Sequence, residues 1–138
     1  MTIQRYGVEG GKGTGGQQLP FARAVKADGW LYVSGQVPML NGELVGGTVT
    51  AQAEQAIQNL LSILREAGYG PEHVVRCGVW LEDPRDFQSF NAVFRKHFGE
   101  NPRARMCCFE YGDRLQGRNR LRRIQIAALR ERGSLTPH

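Results

Sequence analysis

Apolar and polar positions change period several times along this chain, and each change predicts an element. Residues 2–8 alternate weakly, as a first strand would, and residues 10–16 are almost pure glycine, which predicts a mobile loop. Residues 21–25 and 30–34 read as two strands joined at Ala27-Asp28-Gly29, an Asp-Gly hairpin signal. Asn41-Gly42 and Gly46-Gly47 mark further turns. From 50 to 67 the apolar residues Ala53, Ala56, Ile57, Leu60, Leu61, Leu64 and Ala67 recur at the spacing of one helical face, and Gly68 supplies a stop. Residues 74–82 alternate, with Val75, Cys77, Val79 and Leu81 on one face and Val74, Arg76, Gly78 and Trp80 on the other. A second helix is predicted from Asp83 as cap and Pro84 as first helical residue, with Phe87, Phe90, Phe94 and Phe98 as its buried stripe and Gly99 at its end. Residues 105–110 and 124–129 supply two more strands, connected by a polar stretch over 112–120.

The order strands, helix, strand, helix, strands predicts an α+β domain, a mixed β-sheet with two helices packed on one face. A chain of 138 residues fits one domain able to bury a core without disulfides or a structural metal, with 1–19 as N-terminal strand and glycine-rich loop and 131–138 as a flexible C-terminal tail. Gly11, Gly13 and Gly16 formally match G-x-G-x-x-G, but no helix follows to receive a pyrophosphate, and Lys12 precedes Gly13 rather than Ser or Thr. Cys77, Cys107 and Cys108 form no Cys-x-x-Cys, and 107 and 108 would occupy opposite faces of a strand. With no signal peptide and no long apolar run, the expectation is a cytoplasmic protein with reduced thiols and no membrane association.

The net charge is +5, and nine of the 18 Lys and Arg residues lie at or after Arg103. No RRM, KH or zinc-finger signature accompanies them, and no aromatics interleave with the arginines after Tyr111. The segment reads as a solvated basic edge rather than a nucleic-acid surface. Its field would also steer an acidic metabolite.

Two features point to chemistry. Arg105 opens a strand after Pro102-Arg103-Ala104, and a planar guanidinium at a strand start grips a carboxylate through two parallel hydrogen bonds. Arg103 is its rival, and pairing with a surface acid is the bland alternative. The turn Ser34-Gly35-Gln36-Val37-Pro38 leaves an apolar strand, Gly35 allows close ligand approach, and Gln36 or nearby amides can stabilise polar groups. Together they predict a pocket for a small acid. Asn91 falls on the stripe of Phe87, Phe94 and Phe98, where an amide needs partners and serves either the structure or a ligand. Cys107 follows Arg105 by two residues, but neither His73, His97 nor His138 is identifiable as a base that would make it a nucleophile, and the histidines lack metal-ligand spacing. No metal and no cofactor are expected.

Set in the order strand, Ser-Gly-Gln, helix, strand, helix, Arg-led strand, these residues resemble the RidA (YjgF, or endoribonuclease L-PSP) family from about residue 20 to about residue 129. The resemblance implies a chorismate-mutase-like domain assembled as a homotrimer, with a small carboxylate-bearing metabolite bound in a cleft between subunits. It implies an imine or enamine deaminase that releases ammonia and a 2-oxo acid. Arg105 matches the family's Pro-Ala-Arg arginine, which binds the substrate carboxylate, with one extra residue before it. Ser34, Gly35 and Gln36 match the family's Ser-Gly-Gln. Asn91 matches an asparagine near the cleft, and Cys107 offers its backbone amide. Two positions depart from the pattern. Phe21 in Pro20-Phe21-Ala22-Arg23-Ala24-Val25 stands where relatives carry a tyrosine, and Gln125 in Ile124-Gln125-Ile126-Ala127-Ala128 stands where deaminases carry a glutamate that orients or activates water. Two alternatives follow: a non-catalytic carboxylate-binding relative, and an RNA-cleaving or translation-inhibiting one resting only on the basic C-terminal region.

Overall fold

The computed structural model describes residues 2–7, 20–99, 104–109 and 121–130. Its elements are β1 (Ile3–Tyr6), β2 (Ala24–Ala27), β3 (Trp30–Val33), β4 (Met39–Leu40), β5 (Glu43–Leu44), α1 (Val49–Glu66), β6 (Val74–Leu81), α2 (Phe87–Phe98), β7 (Ala104–Phe109) and β8 (Leu121–Arg130). Short 3-10 turns at Pro71–His73 and Pro84–Asp86 precede β6 and α2. The glycine-rich run at 10–16, the connection over 110–120 and the tail at 131–138 lie outside the described residues.

Six strands form one sheet in the order β1-β2-β3-β8-β6-β7, and β4 and β5 pair separately as a small hairpin. All neighbours in the large sheet are antiparallel except β6 and β7, which run parallel because α2 carries the chain back between them. The fold is therefore α+β on a mixed sheet, as the element order predicts. Both two-residue hairpin loops have left-handed residues at each position: Asp28 (φ 53°) and Gly29 (φ 76°) between β2 and β3, Asn41 (φ 54°) and Gly42 (φ 82°) between β4 and β5. That geometry matches the twist of paired strands, which is why Asp-Gly and Asn-Gly occupy it.

Four expectations need correction. The strand placed at 21–25 is β2 at Ala24–Ala27, so Phe21 precedes the ladder. Its outer partner ends at Tyr6, whose carbonyl accepts from Arg23 N (2.8 Å), and Gly7 at φ 67° turns the chain away. In β6 Val74 is buried and Val75 half-exposed, the reverse of the expected faces. Its register with β8 slips between Val74 and Arg76 and again between Arg76 and Cys77, and a bulge inverts the alternation on either side of it. Asp83 and Pro84 open the 3-10 turn rather than the helix: Asp83 Oδ1 accepts from Arg85 N (2.9 Å), and α2 starts at Phe87. At the other end of the chain, β8 begins at Leu121, so Arg122 and Arg123 lie within a strand expected to start at 124.

The helices carry the core. Val49, Ala53, Ala56, Ile57, Leu60, Ile63 and Leu64 of α1 are buried, while the expected Leu61 is only partly so. In α2 the buried residues are Phe90, Val93 and Phe98, with Phe87 and Phe94 packed partly buried beside them. Leu31 and Val33 of β3 and Cys77, Val79 and Leu81 of β6 meet them from the sheet. Thr48 caps α1, its Oγ1 accepting from Ala51 N (3.1 Å). At the far end Tyr69 N donates to Leu64 O (2.8 Å) and Gly68 N to Arg65 O (3.1 Å), a Schellman closure with Gly68 at φ 87°. Tyr69 Oη then donates to Gly29 O (2.8 Å), tying the helix end to the β2–β3 hairpin.

A Cβ at Gly68 would meet nothing within 4 Å. Gly68→Ala therefore isolates the cost of a left-handed backbone, and we expect about 1–2 kcal/mol lost in urea unfolding with an unchanged denaturant slope. A neutral result would show that the helix end rearranges.

Candidate functional site

As β3 ends, the chain crosses back to the segment before β2. Ser34 N donates to Arg23 O (2.9 Å) and Ser34 Oγ to Ala22 O (2.7 Å), while Gln36 Nε2 donates to Ser34 O (3.0 Å). These bonds shape the turn and bring Phe21-Ala22 beside Ser34. Gly35 is exposed, and Phe21 is 56 % exposed, a large apolar ring held at the surface. Phe21, Ser34, Gly35 and Gln36 thus form one local group.

The run after this turn is fastened to α1 by amides that the periodicity argument passed over. Asn59 Nδ2 donates to both Val37 O (3.1 Å) and Met39 O (2.9 Å), and Gln55 Nε2 donates to Asn59 Oδ1 (2.8 Å). Gln52, fully buried, donates from Nε2 to Val45 O (3.0 Å). Gln52 stands three residues after Val49 and four before Ala56, within the apolar stripe, and Asn59 stands seven further on. A polar amide on an apolar stripe was the available signal, the one that singled out Asn91.

Arg105 and Cys107 sit on β7 beside Cys77 and Val79 of β6, both fully buried on the face that the helices cover. Gln125 sits on β8 beside Gly78, the alternate register position. Both ladders are regular from Cys77 to Trp80, so the pleat assigns position 125 to the opposite face from positions 105 and 107. The side chains of Arg103, Arg105, Cys107 and Gln125 lie outside the described residues. Asn91 is half-buried on α2, and its Oδ1 is a buried acceptor with no hydrogen-bond partner among the described residues. Tyr32 is exposed and Val33 buried as β3 ends, and Ser34 beyond it is half-buried. By register the strand positions therefore divide between the two faces, 105 and 107 beside Cys77 and Val79 and 125 beside Gly78, while Phe21 and Ser34 to Gln36 lie together outside the strands of the large sheet.

A second polar cluster joins the two helices. His97 Nε2 lies 2.9 and 2.8 Å from the two carboxylate oxygens of Glu54, with Lys96 Nζ at 3.5 Å and Gln58 Nε2 at 3.3 Å. The His97 hydrogen bond, aided by Gln58 and by the charges of His97 and Lys96, holds the Glu54 carboxyl below its usual value against the opposing effect of burial. His97 is engaged here as an interhelical tie. Among the described residues no group of three His, Cys, Asp or Glu is placed to hold a metal ion, and no helix is long and apolar enough to cross a membrane.

A family model described as Endoribonuclease L-PSP matches residues 16–113, well over half of the chain. The chain belongs to this family, the one otherwise called RidA or YjgF. Within it, a RutC family protein of Pyrococcus horikoshii is 37% identical over 89 residues, covering 63% of this chain and 71% of the relative. The crystal structure of yeast Mmf1 superposes with a TM-score of 0.79 at 28% identity, covering 94% of this chain and 100% of that one. RidA from an Antarctic Psychrobacter superposes with a TM-score of 0.75 at 28% identity, covering 92% and 100%. The family match spans the Ser34 turn, both helices and β7, but stops before β8 and Gln125.

Because the folded Glu54 carboxyl titrates below its ordinary value of 4.5, its contribution is complete above that value and fades as pH falls through the depressed one. Solvent screens this partly exposed pair, so the expected effect is a few degrees in Tm. Glu54→Gln should lower Tm at pH 7 and flatten its decline below pH 4.5 relative to wild type. Parallel acid-side declines would remove the pair from the stability argument.

Proposed function

We propose that this protein hydrolyses small 2-imino or enamino acids to the 2-oxo acid and ammonia, at a site completed between neighbouring subunits of a homotrimer. The observation that carries this reading is the split of the candidate residues between the two faces of the sheet. Positions 105 and 125 on opposite faces of one chain cannot both turn toward one ligand, whereas one face of a subunit can meet the other face of the next. The open side also carries large exposed apolar side chains, with Tyr32 at 51 % and Val75 at 49 %, a surface suited to a second copy. The proposal includes a cytoplasmic, reducing setting, in which buried Cys77 remains a thiol.

In this reading Arg105 clamps the substrate carboxylate, the Phe21 ring packs against the substrate, and the Gly35 and Cys107 backbone amides stabilise developing charge. Asn91 offers the substrate nitrogen its carbonyl oxygen, which has no hydrogen-bond partner among the described residues. Water adds to the imine carbon, its proton passes to the imine nitrogen, and the resulting carbinolamine expels ammonia as the carbonyl forms. Gln125 holds the water by hydrogen bonds but accepts no proton at ordinary pH. Positioning does the rest, since imine hydrolysis is intrinsically easy.

Gln125 at the family's glutamate position favours a second reading, a carboxylate binder without catalysis. Ammonia release from freshly generated iminopropanoate and iminobutanoate separates the two. We expect wild type to accelerate it and Arg105→Ala to lower kcat/KM about 10- to 100-fold, the worth of a charge-assisted clamp. Gln125→Glu should raise kcat, since general-base assistance is typically worth about 10² to 10⁴. No acceleration by either wild type or Gln125→Glu would leave only the binding function.

A further inference from the structure

We infer that Asn59 is a positioning residue for the acid site: its amide sets the shape of the 34–39 turn from the half-buried flank of α1. This inference rests on the functional reading above and adds a residue to it. The run from Ser34 to Val45 leaves the large sheet with few apolar anchors. Pro38 is buried, but Leu40 and Leu44 at the hairpin are 52 % and 46 % exposed. Two side-chain amides of α1 hold this run. Gln52 holds the far end through Val45 O, where Val45 N also returns to Pro38 O (2.8 Å). Asn59 holds the near end, directly after Gly35-Gln36.

The polarity of that near contact is unambiguous. Val37 O and Met39 O are carbonyl oxygens that only accept, so both must face the Asn59 NH₂ group, and Gln55 Nε2 satisfies the remaining Oδ1. One planar amide thus spans the carbonyls on either side of Pro38 and fixes their separation, while Met39 N closes onto Val37 O (2.8 Å). On the other side of Gly35, Ser34 is pinned to Arg23 and Ala22. Gly35 and Gln36 are held between two clamps, and Asn59 is the one that comes from outside the sheet. Preorganised amides keep their value only while their direction is fixed. An isosteric Asp at 59 would set oxygen against both carbonyls, keeping the volume and inverting the clamp.

The test compares the full-length chain as wild type, Asn59→Asp, Asn59→Leu and Gln52→Leu. It measures hydrogen exchange in a peptide covering 34–40 and calorimetric binding of 2-oxobutanoate, with thermal unfolding as a control. Both Asn59 variants should unfold cooperatively, exchange about tenfold faster in that peptide, and bind 2-oxobutanoate about tenfold more weakly. Gln52→Leu should lose comparable thermal stability with both readings unchanged. Wild-type exchange in the Asn59→Asp peptide would overturn the clamp, as would equal weakening of binding by Gln52→Leu. If wild type binds no 2-oxobutanoate, the functional reading fails and the positioning role with it, while the exchange comparison still decides whether Asn59 holds the turn.

Discussion

Two helices can cover only one face of a six-stranded sheet, and the rest of this molecule follows from that constraint. The apolar stripe of α1 and the phenylalanines of α2 bury Leu31, Val33, Cys77, Val79 and Leu81 on one side. Burying such side chains is the dominant stabilising contribution, on the order of 1.5–3 kcal/mol for each fully buried large one. The opposite side is left with Tyr32 and Val75 at the surface. Since neighbouring register positions alternate between faces, the same constraint places positions 105 and 107 on one side and 125 on the other.

The parallel pairing of β6 with β7 depends on the same layer. Parallel neighbours need a crossover, and α2 is that crossover. Its length and its interhelical tie through His97 and Glu54 bring β7 in beside β6, with position 105 next to Cys77 and 107 next to Val79. The location of the proposed carboxylate clamp is thus a consequence of helix packing as much as of the Pro-Arg-Ala-Arg sequence around it.

α1 has a second role as a donor of hydrogen bonds. Gln52 and Asn59 interrupt a stripe that would otherwise be wholly apolar, and each is satisfied by a carbonyl of the run that follows β3. A buried amide lacking such partners would cost roughly 1–3 kcal/mol, so the helix and the run constrain one another. The turn carrying Ser34, Gly35 and Gln36 is shaped from within by its own side chains and from behind by the helix.

Much of this was legible in the sequence because it depends on neighbours along the chain. Asp28-Gly29 and Asn41-Gly42 dictate their hairpin turns through backbone sterics, Gly68 ends α1 through local hydrogen bonds, and the 3.6-residue period of both helices is a property of each segment alone. The Ser34 and Arg105 motifs were likewise visible as residue types in order, and with them the family. What depended on distant partners was not. Val75 is turned outward by a register slip against β8, the start of β2 is set by where β1 departs at Gly7, and Gln52 and Asn59 acquire their meaning from carbonyls 7 to 22 positions away. The period of the helices, the hairpin turns and the chemical groups on each element are thus properties of the chain read locally. Tertiary structure alone decided which face each group occupies, because a face is defined by the strand alongside and the helix above, and both are brought there by burial of the common core.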